Sequence, residues 1–190
     1  MGRIVHLIGK HGVGKTTLCI FAANQTNSDW FSLGAYVRTF NRGGTDTRVT
    51  RHIANNLPRP TSSLTLAPQI VGQIAQCLRN ASALTFADGL LRTEEDLPYL
   101  LGDTDVVWQL QAEQQTITQR LDGRLGRKAL NHEQPSARDQ SLGALITTLG
   151  SRLECIDANR SVPQVVVMAI LLARRQGLFV GTNNEAGSPT

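Results

Sequence analysis

The sequence predicts an α/β fold built on a central parallel sheet, and three observations support that prediction. Short apolar runs alternate along the chain with segments of helical periodicity. Strands separated by helices imply crossover connections, and therefore parallel strands covered on both faces. The first run leads into a glycine-punctuated loop, Gly9 to Thr16, that fits a phosphate-binding loop and opens a helical pattern. Finally, 190 residues with 41% hydrophobic and 18% charged side chains suit one soluble domain with a real core. Residues 1–190 are therefore read as a single P-loop domain of three layers around a five-stranded parallel sheet.

Five runs read as strands: Ile4–Ile8, a short one at Phe31, Leu84–Ala87, Val106–Leu110 and Leu153–Ile156. Helical patterns fill the intervals at Lys15–Asn24, Gly34–Arg42, Pro68–Arg79, Glu94–Leu101, Gln111–Leu121, Leu142–Leu149 and Pro163–Gln176. Two polar stretches break the rhythm, Asn41–Ser63 and Gly123–Gln140. Neither carries a core pattern, so both are expected on the surface, as flaps over a site or as plain connections. The tail from Gly177 is small and polar and is expected to be loosely ordered.

Composition excludes several classes. Cys19, Cys77 and Cys155 are far apart and form no C-x-x-C pair, which argues against a disulfide framework or a zinc site. His6, His11, His52 and His132 are scattered without metal-ligand spacing. The longest apolar run, Val165–Ala173, falls short of the ~20 residues a membrane span needs. The first strand starts so close to Met1 that no signal peptide is expected, and a cytoplasmic protein is the reading. Net charge is +4, and Arg supplies 16 of the 19 basic residues. Arginine forks onto phosphate, though genomic composition would explain the bias equally well. With 5% aromatics, a stacking platform for nucleic acid is not expected.

The strongest signal is Gly9-x-x-x-x-Gly14-Lys15-Thr16. Glycines let the backbone wrap phosphates, and the exposed amides of Gly12, Val13, Gly14 and Thr17 at a helix N-terminus favour the anion. Lys15 is expected on the β- and γ-phosphates of ATP, and Thr16 on Mg²⁺. The loop does not name the reaction by itself. "GKHGVGKTT" differs only at His11 from the GKGGVGKTT of the MinD/ParA-type ATPases, in which the lysine at the Lys10 position reaches across a dimer.

Downstream segments point elsewhere. "LTFADGLLRTEEDL", Leu84 to Leu97, resembles the adenylate kinase signature, a strand ending in D-G-F-P-R-T. "SLGAYVR" from Ser32, "LAPQIVGQI" from Leu66, "RLDGR" from Arg120 and "CIDANRSVPQVV" from Cys155 resemble further segments of that family, in its order. The resemblance spans roughly residues 3 to 175. It implies a monophosphate-binding flap over residues 32–66, a short lid over 124–139, and transfer of the ATP γ-phosphoryl group to a nucleoside monophosphate by a monomeric enzyme. By the same resemblance, Lys15, Arg92, Arg124 and Arg138 are the catalytic cations. Arg120 and Arg124 would cover ATP. Ser32, Arg38, Gly89, Arg92 and Asp96 would face the acceptor, and Asp88 would hold Mg²⁺ through water.

Departures from the family pattern cluster on the acceptor side. The flap threonine is Leu33, the flap aspartate is Ala35, the motif proline is Leu91, and the glutamine that reads the acceptor base falls at Asp96. Phosphate clamps are thus retained while base readers are exchanged, which predicts an acceptor preference other than AMP. At the lid exit Arg138 and Asp139 are displaced by one residue, and Thr147 and Thr148 stand where a later arginine would fall. Two alternatives stay open: a kinase of another small acceptor, or a nucleotide-binding sensor or partner with little transfer activity.

Overall fold

The computed structural model describes residues 1–40, 48–57, 66–125 and 137–179, without the side chains of 38–40, 48, 124, 125 and 137–140. The expectations for the middle of the flap, most of the lid and the end of the tail lie outside the described residues.

Five parallel strands form one sheet: β1 (Arg3–Ile8), β2 (Asp29–Ser32), β3 (Leu84–Asp88), β4 (Val106–Gln111) and β5 (Leu153–Asp157), in the order β2-β3-β1-β4-β5. β1 is central, paired to β3 on one side and β4 on the other. Its alternation divides the core. Ile4 and Ile8 enter one apolar layer, and Val5 and Leu7 enter the other. The second layer is closed by α1 (Lys15–Thr26) and α8 (Val162–Arg175), which bring Leu18, Cys19, Ala22, Val165, Val166 and Ala169 against Trp108 and Phe86. Cys19 belongs to this packing; burial, and then the nearby Asp88, pushes its thiol up, so it is a small hydrophobe there.

The first layer lies under α2 (Leu33–Phe40), α3 (Arg48–Asn56), α4 (Pro68–Ala81), the short α5 (Leu97–Leu100) and α7 (Ala137–Leu149). α6 (Gln114–Leu125) follows β4. Proline starts α4 at its first turn, where its missing N–H costs nothing. α8 opens on a capping box between Ser161 and Gln164, again with a proline in the first turn.

Two differences from the sequence reading have clear causes. The polar stretch 41–63 contains α3, and its Val49 and Ile53 are fully buried. Two apolar side chains four residues apart on one helix face bury a helix that is otherwise polar, a signal too thin to register against its Arg, His and Asn neighbours. The pattern Glu94–Leu101 is not one helix. It is a 3-10 turn, Glu94–Asp96, closed by a capping box from Thr93 and followed by α5.

Candidate active site

The C-terminal ends of β1 and β3 and the N-terminus of α1 meet at one edge of the sheet, where open α/β sheets bind ligands. The loop between β1 and α1 is shaped by its glycines. Gly9 has φ +140°, and a Cβ there would sit 2.6 Å from the carbonyl oxygen of Leu110 on the neighbouring strand. Gly12, with φ +83°, lies against the Leu121 side chain of α6, 2.8 Å from where its Cβ would be. Gly14 is the left-handed residue that leads into α1, and no side chain caps that helix end. The positive end of that helix's dipole therefore faces the site and favours an anion there.

Lys15 folds back over this loop, its Nζ donating to the carbonyls of Gly9 (2.7 Å) and Lys10 (2.9 Å). The ammonium is thus parked along the concave side of the loop. Lys10 itself is exposed. The Thr16 hydroxyl donates to Asp88 Oδ2 at 2.5 Å, and the Ser32 hydroxyl donates to the same oxygen at 3.1 Å. Asp88 is 7% exposed, at the tip of β3, and Gly89 follows it in the left-handed region at φ +80°. Oxygen donors from three separate elements converge here.

Two recesses flank the loop. One is lined by Val13, Thr17, Leu110, Arg120, Val162 and Val166. Its walls are apolar apart from Thr17 and Arg120; Arg120 Nη1 donates to the Val13 carbonyl (2.9 Å) and its Nη2 donates to the carbonyls of Ala158 (2.7 Å) and Arg160 (3.3 Å). Arg120 is no solvated helix residue: it ties the phosphate loop to the turn after β5. The other recess lies on the β3 side and is lined by Leu7, Ile8, Gly9, Lys15, Gly89, Leu91, Arg92 and Leu142.

Asp96, expected to face an acceptor base, is fully buried. Its carboxylate accepts from Arg92 and the backbone beside it. Such a side chain cannot read a base while it holds these contacts. Arg124 lies on α6 one turn after Arg120, Arg138 on α7 one turn before Leu142, and Arg38 on α2; what their side chains do is outside the described residues. Thr148 donates to Glu94 Oε2 at 3.1 Å and Thr147 to the Gly143 carbonyl of its own helix at 3.0 Å; both threonines are exposed.

No protein-family model matches the sequence, and no curated protein matches it. Solved structures do align over nearly the whole chain. Shikimate kinase from Aquifex aeolicus aligns over 94% of this chain and 99% of its own, with 15% identity and a TM-score of 0.56. A gluconokinase from Sinorhizobium meliloti aligns over 93% and 94%, with 17% identity and a TM-score of 0.52. A sugar kinase from Janibacter sp. HTCC2649 aligns over 95% and 100%, with 18% identity and a TM-score of 0.52. The fold is that of the small P-loop kinases. At these identities the likeness is one of architecture. It shows the fold and does not single out adenylate kinases.

The P-loop kinase fold explains which site residues escaped the sequence reading. Leu142, Val162 and Val166 line the two recesses but carry no chemistry of their own. Leu142 and Val166 lie within stretches read as helix and Val162 just ahead of one, and only the packing of α7 and α8 brings them to the site. Among the described residues, no cluster of three or more His, Cys, Asp or Glu side chains could hold a metal alone. No described helix is long and apolar enough to cross a membrane.

Proposed function

We propose that this protein transfers the γ-phosphoryl group of ATP to a small phosphate-bearing acceptor, a nucleoside monophosphate, in the manner of adenylate kinase. The observation that carries the choice of acceptor is the second recess. It offers two cations, Lys15 and Arg92, and among the described residues lining it there is no carboxylate or imidazole. A hydroxyl acceptor must lose a proton as it attacks, which a positioned base assists. A phosphate oxygen is already ionised and needs only orientation and charge neutralisation.

The transfer then balances simply. An acceptor phosphate oxygen bonds to the γ-phosphorus, the bond from that phosphorus to the β–γ bridging oxygen breaks, and ADP departs with those electrons. Lys15 leaves its two carbonyl partners to follow the β- and γ-phosphates. Gly12, Val13, Gly14 and Thr17 contribute backbone amides. The apolar recess takes the ATP base, with Arg120 holding the loop to the turn after β5. Arg92 and Arg38 hold the acceptor phosphate, with Ser32 and Gly89 beside it, and Arg124 and Arg138 supply charge from α6 and α7. Asp88 and Thr16 are hard oxygen donors at hydrogen-bond distance, which suits Mg²⁺ held through water, phosphates and few protein ligands. When bound, that ion neutralises phosphate charge.

A second reading is favoured by the structural neighbours, which are kinases of sugars, gluconate and shikimate by name. Thermal stability separates the two. A ligand at a hundredfold excess over its Kd adds about 2.7 kcal/mol, roughly 5–10 °C for a domain of this size. With ATP present, a 5′-monophosphate other than AMP should give the largest rise. A rise with gluconate or shikimate and none with any monophosphate would favour the second reading. AMP giving clearly the largest rise would overturn the altered specificity.

A further inference from the structure

Arg92 lines the recess on the β3 side, and its surroundings explain how it is aimed. Its neighbour Asp96 is fully buried. Oδ2 accepts from the Arg92 backbone N–H (2.9 Å), the Thr93 backbone N–H (3.1 Å) and Arg92 Nε (3.3 Å). Oδ1 accepts from Arg92 Nη2 at 3.1 Å. The same Nη2 donates to the Leu66 carbonyl at the start of α4, at 2.9 Å. The Arg92 side chain is 14% exposed.

We propose that Asp96 is a positioning residue: it fixes the guanidinium of Arg92 for the acceptor's phosphate, and so occupies the place of a base reader without reading a base. This rests on the phosphate-acceptor reading above. A guanidinium is a rigid plane of five donors. A carboxylate gripping its Nε–Nη2 edge in bidentate fashion sets the plane of the whole group. Asp96 is itself fixed by two backbone amides and by the capping box with Thr93, so the grip is anchored to the β3 turn rather than to a mobile side chain. Orientation matters because a displacement of about 1 Å in a substrate-holding group can cost roughly 10²-fold in rate.

The test uses two readouts on the full chain. In the wild type, the Nε–H of Arg92 followed by ¹⁵N NMR should exchange with water far more slowly than those of exposed arginines such as Arg174 and Arg175. Fast exchange there overturns the proposal without any variant. Asp96→Asn should abolish that protection and raise KM for the best 5′-monophosphate by about tenfold or more, with KM for ATP within about twofold. In an Arg92→Ala background the same Asp96→Asn change should add nothing to the monophosphate KM, because its effect runs through Arg92. A further rise in that background, or equal losses for ATP and monophosphate, contradicts the proposal and leaves Asp96 as ordinary packing. A wild type with a protected Nε–H that phosphorylates no monophosphate supports the orientation of Arg92 and overturns only the choice of acceptor.

Discussion

Lys15→Ala should lower kcat for phosphoryl transfer by about 10²–10³-fold while leaving the fold intact. The ammonium is half-buried and donates to two carbonyls of its own loop, so its removal disturbs little packing. Its importance lies in what it meets when ATP arrives. Charge builds on the oxygens around the transferring phosphorus and on the bridging oxygen that ADP keeps, and a positioned cation in a water-poor recess stabilises that charge more in the transition state than in the ground state. The loss should therefore fall mainly on kcat. Steady-state kinetics on the purified variant, beside its far-UV circular dichroism, would check this. Unchanged turnover with intact ATP binding would remove Lys15 from the mechanism.

The largest effect on stability is expected from Asp105→Ala. Asp105 lies just ahead of β4, at the opposite end of the sheet from the phosphate loop. Its Oδ1 accepts from the Ile4 N–H at 2.8 Å, and its Oδ2 accepts from the Gly102 N–H at 3.0 Å and from Arg79. His6 Nε2 lies 3.6 Å away. Arg79 is nine-tenths buried and also donates to the Leu100 carbonyl. Without Asp105, a buried guanidinium loses its carboxylate and the buried Ile4 amide and part-buried Gly102 amide lose their acceptor, which costs about 3–5 kcal/mol. For a domain of this size that is a fall in Tm of roughly 6–20 °C.

The pH dependence has a definite sign. Burial pushes the Asp105 carboxyl up, but His6, Arg79 and the Gly102 amide together hold it well below the usual carboxylate range. A carboxylate depressed in the folded state stabilises above its unfolded pKa of about 3.9, and that contribution is lost as pH falls below it. Urea unfolding at pH 7 and pH 3 should therefore show the gap between wild type and Asp105→Ala narrowing at the lower pH. A gap that stays constant would contradict this account of Asp105.

The sheet was legible because buried parallel strands are continuous apolar runs, and five such runs became five strands. The phosphate loop was legible because its chemistry is local: Gly9, Gly14, Lys15 and Thr16 are consecutive enough for spacing alone to reveal them. What escaped depended on long-range geometry. Asp96 reads as a polar residue at a base-reading position, and only its burial and its grip on Arg92 reveal a different task. The family resemblance places Arg120 over ATP, and only the packing of α6 reveals its contact with the Ala158 carbonyl, nearly forty residues away in sequence. Val49 and Ile53 vanish within a polar stretch because two apolar residues are too few to set a period. His6 interrupts an apolar strand for a reason that lies at Asp105, about a hundred residues on.

The most direct measurement of the central claim is transfer of label from [γ-³²P]ATP. The protein would be incubated with Mg²⁺ and, separately, with each common nucleoside 5′-monophosphate, gluconate and shikimate, and the products separated by chromatography. Label should move into a nucleoside diphosphate, most rapidly with a monophosphate other than AMP, and Lys15→Ala should slow the transfer by about 10²–10³-fold. Label found on gluconate or shikimate, or released only as inorganic phosphate, would contradict a phosphate-bearing acceptor.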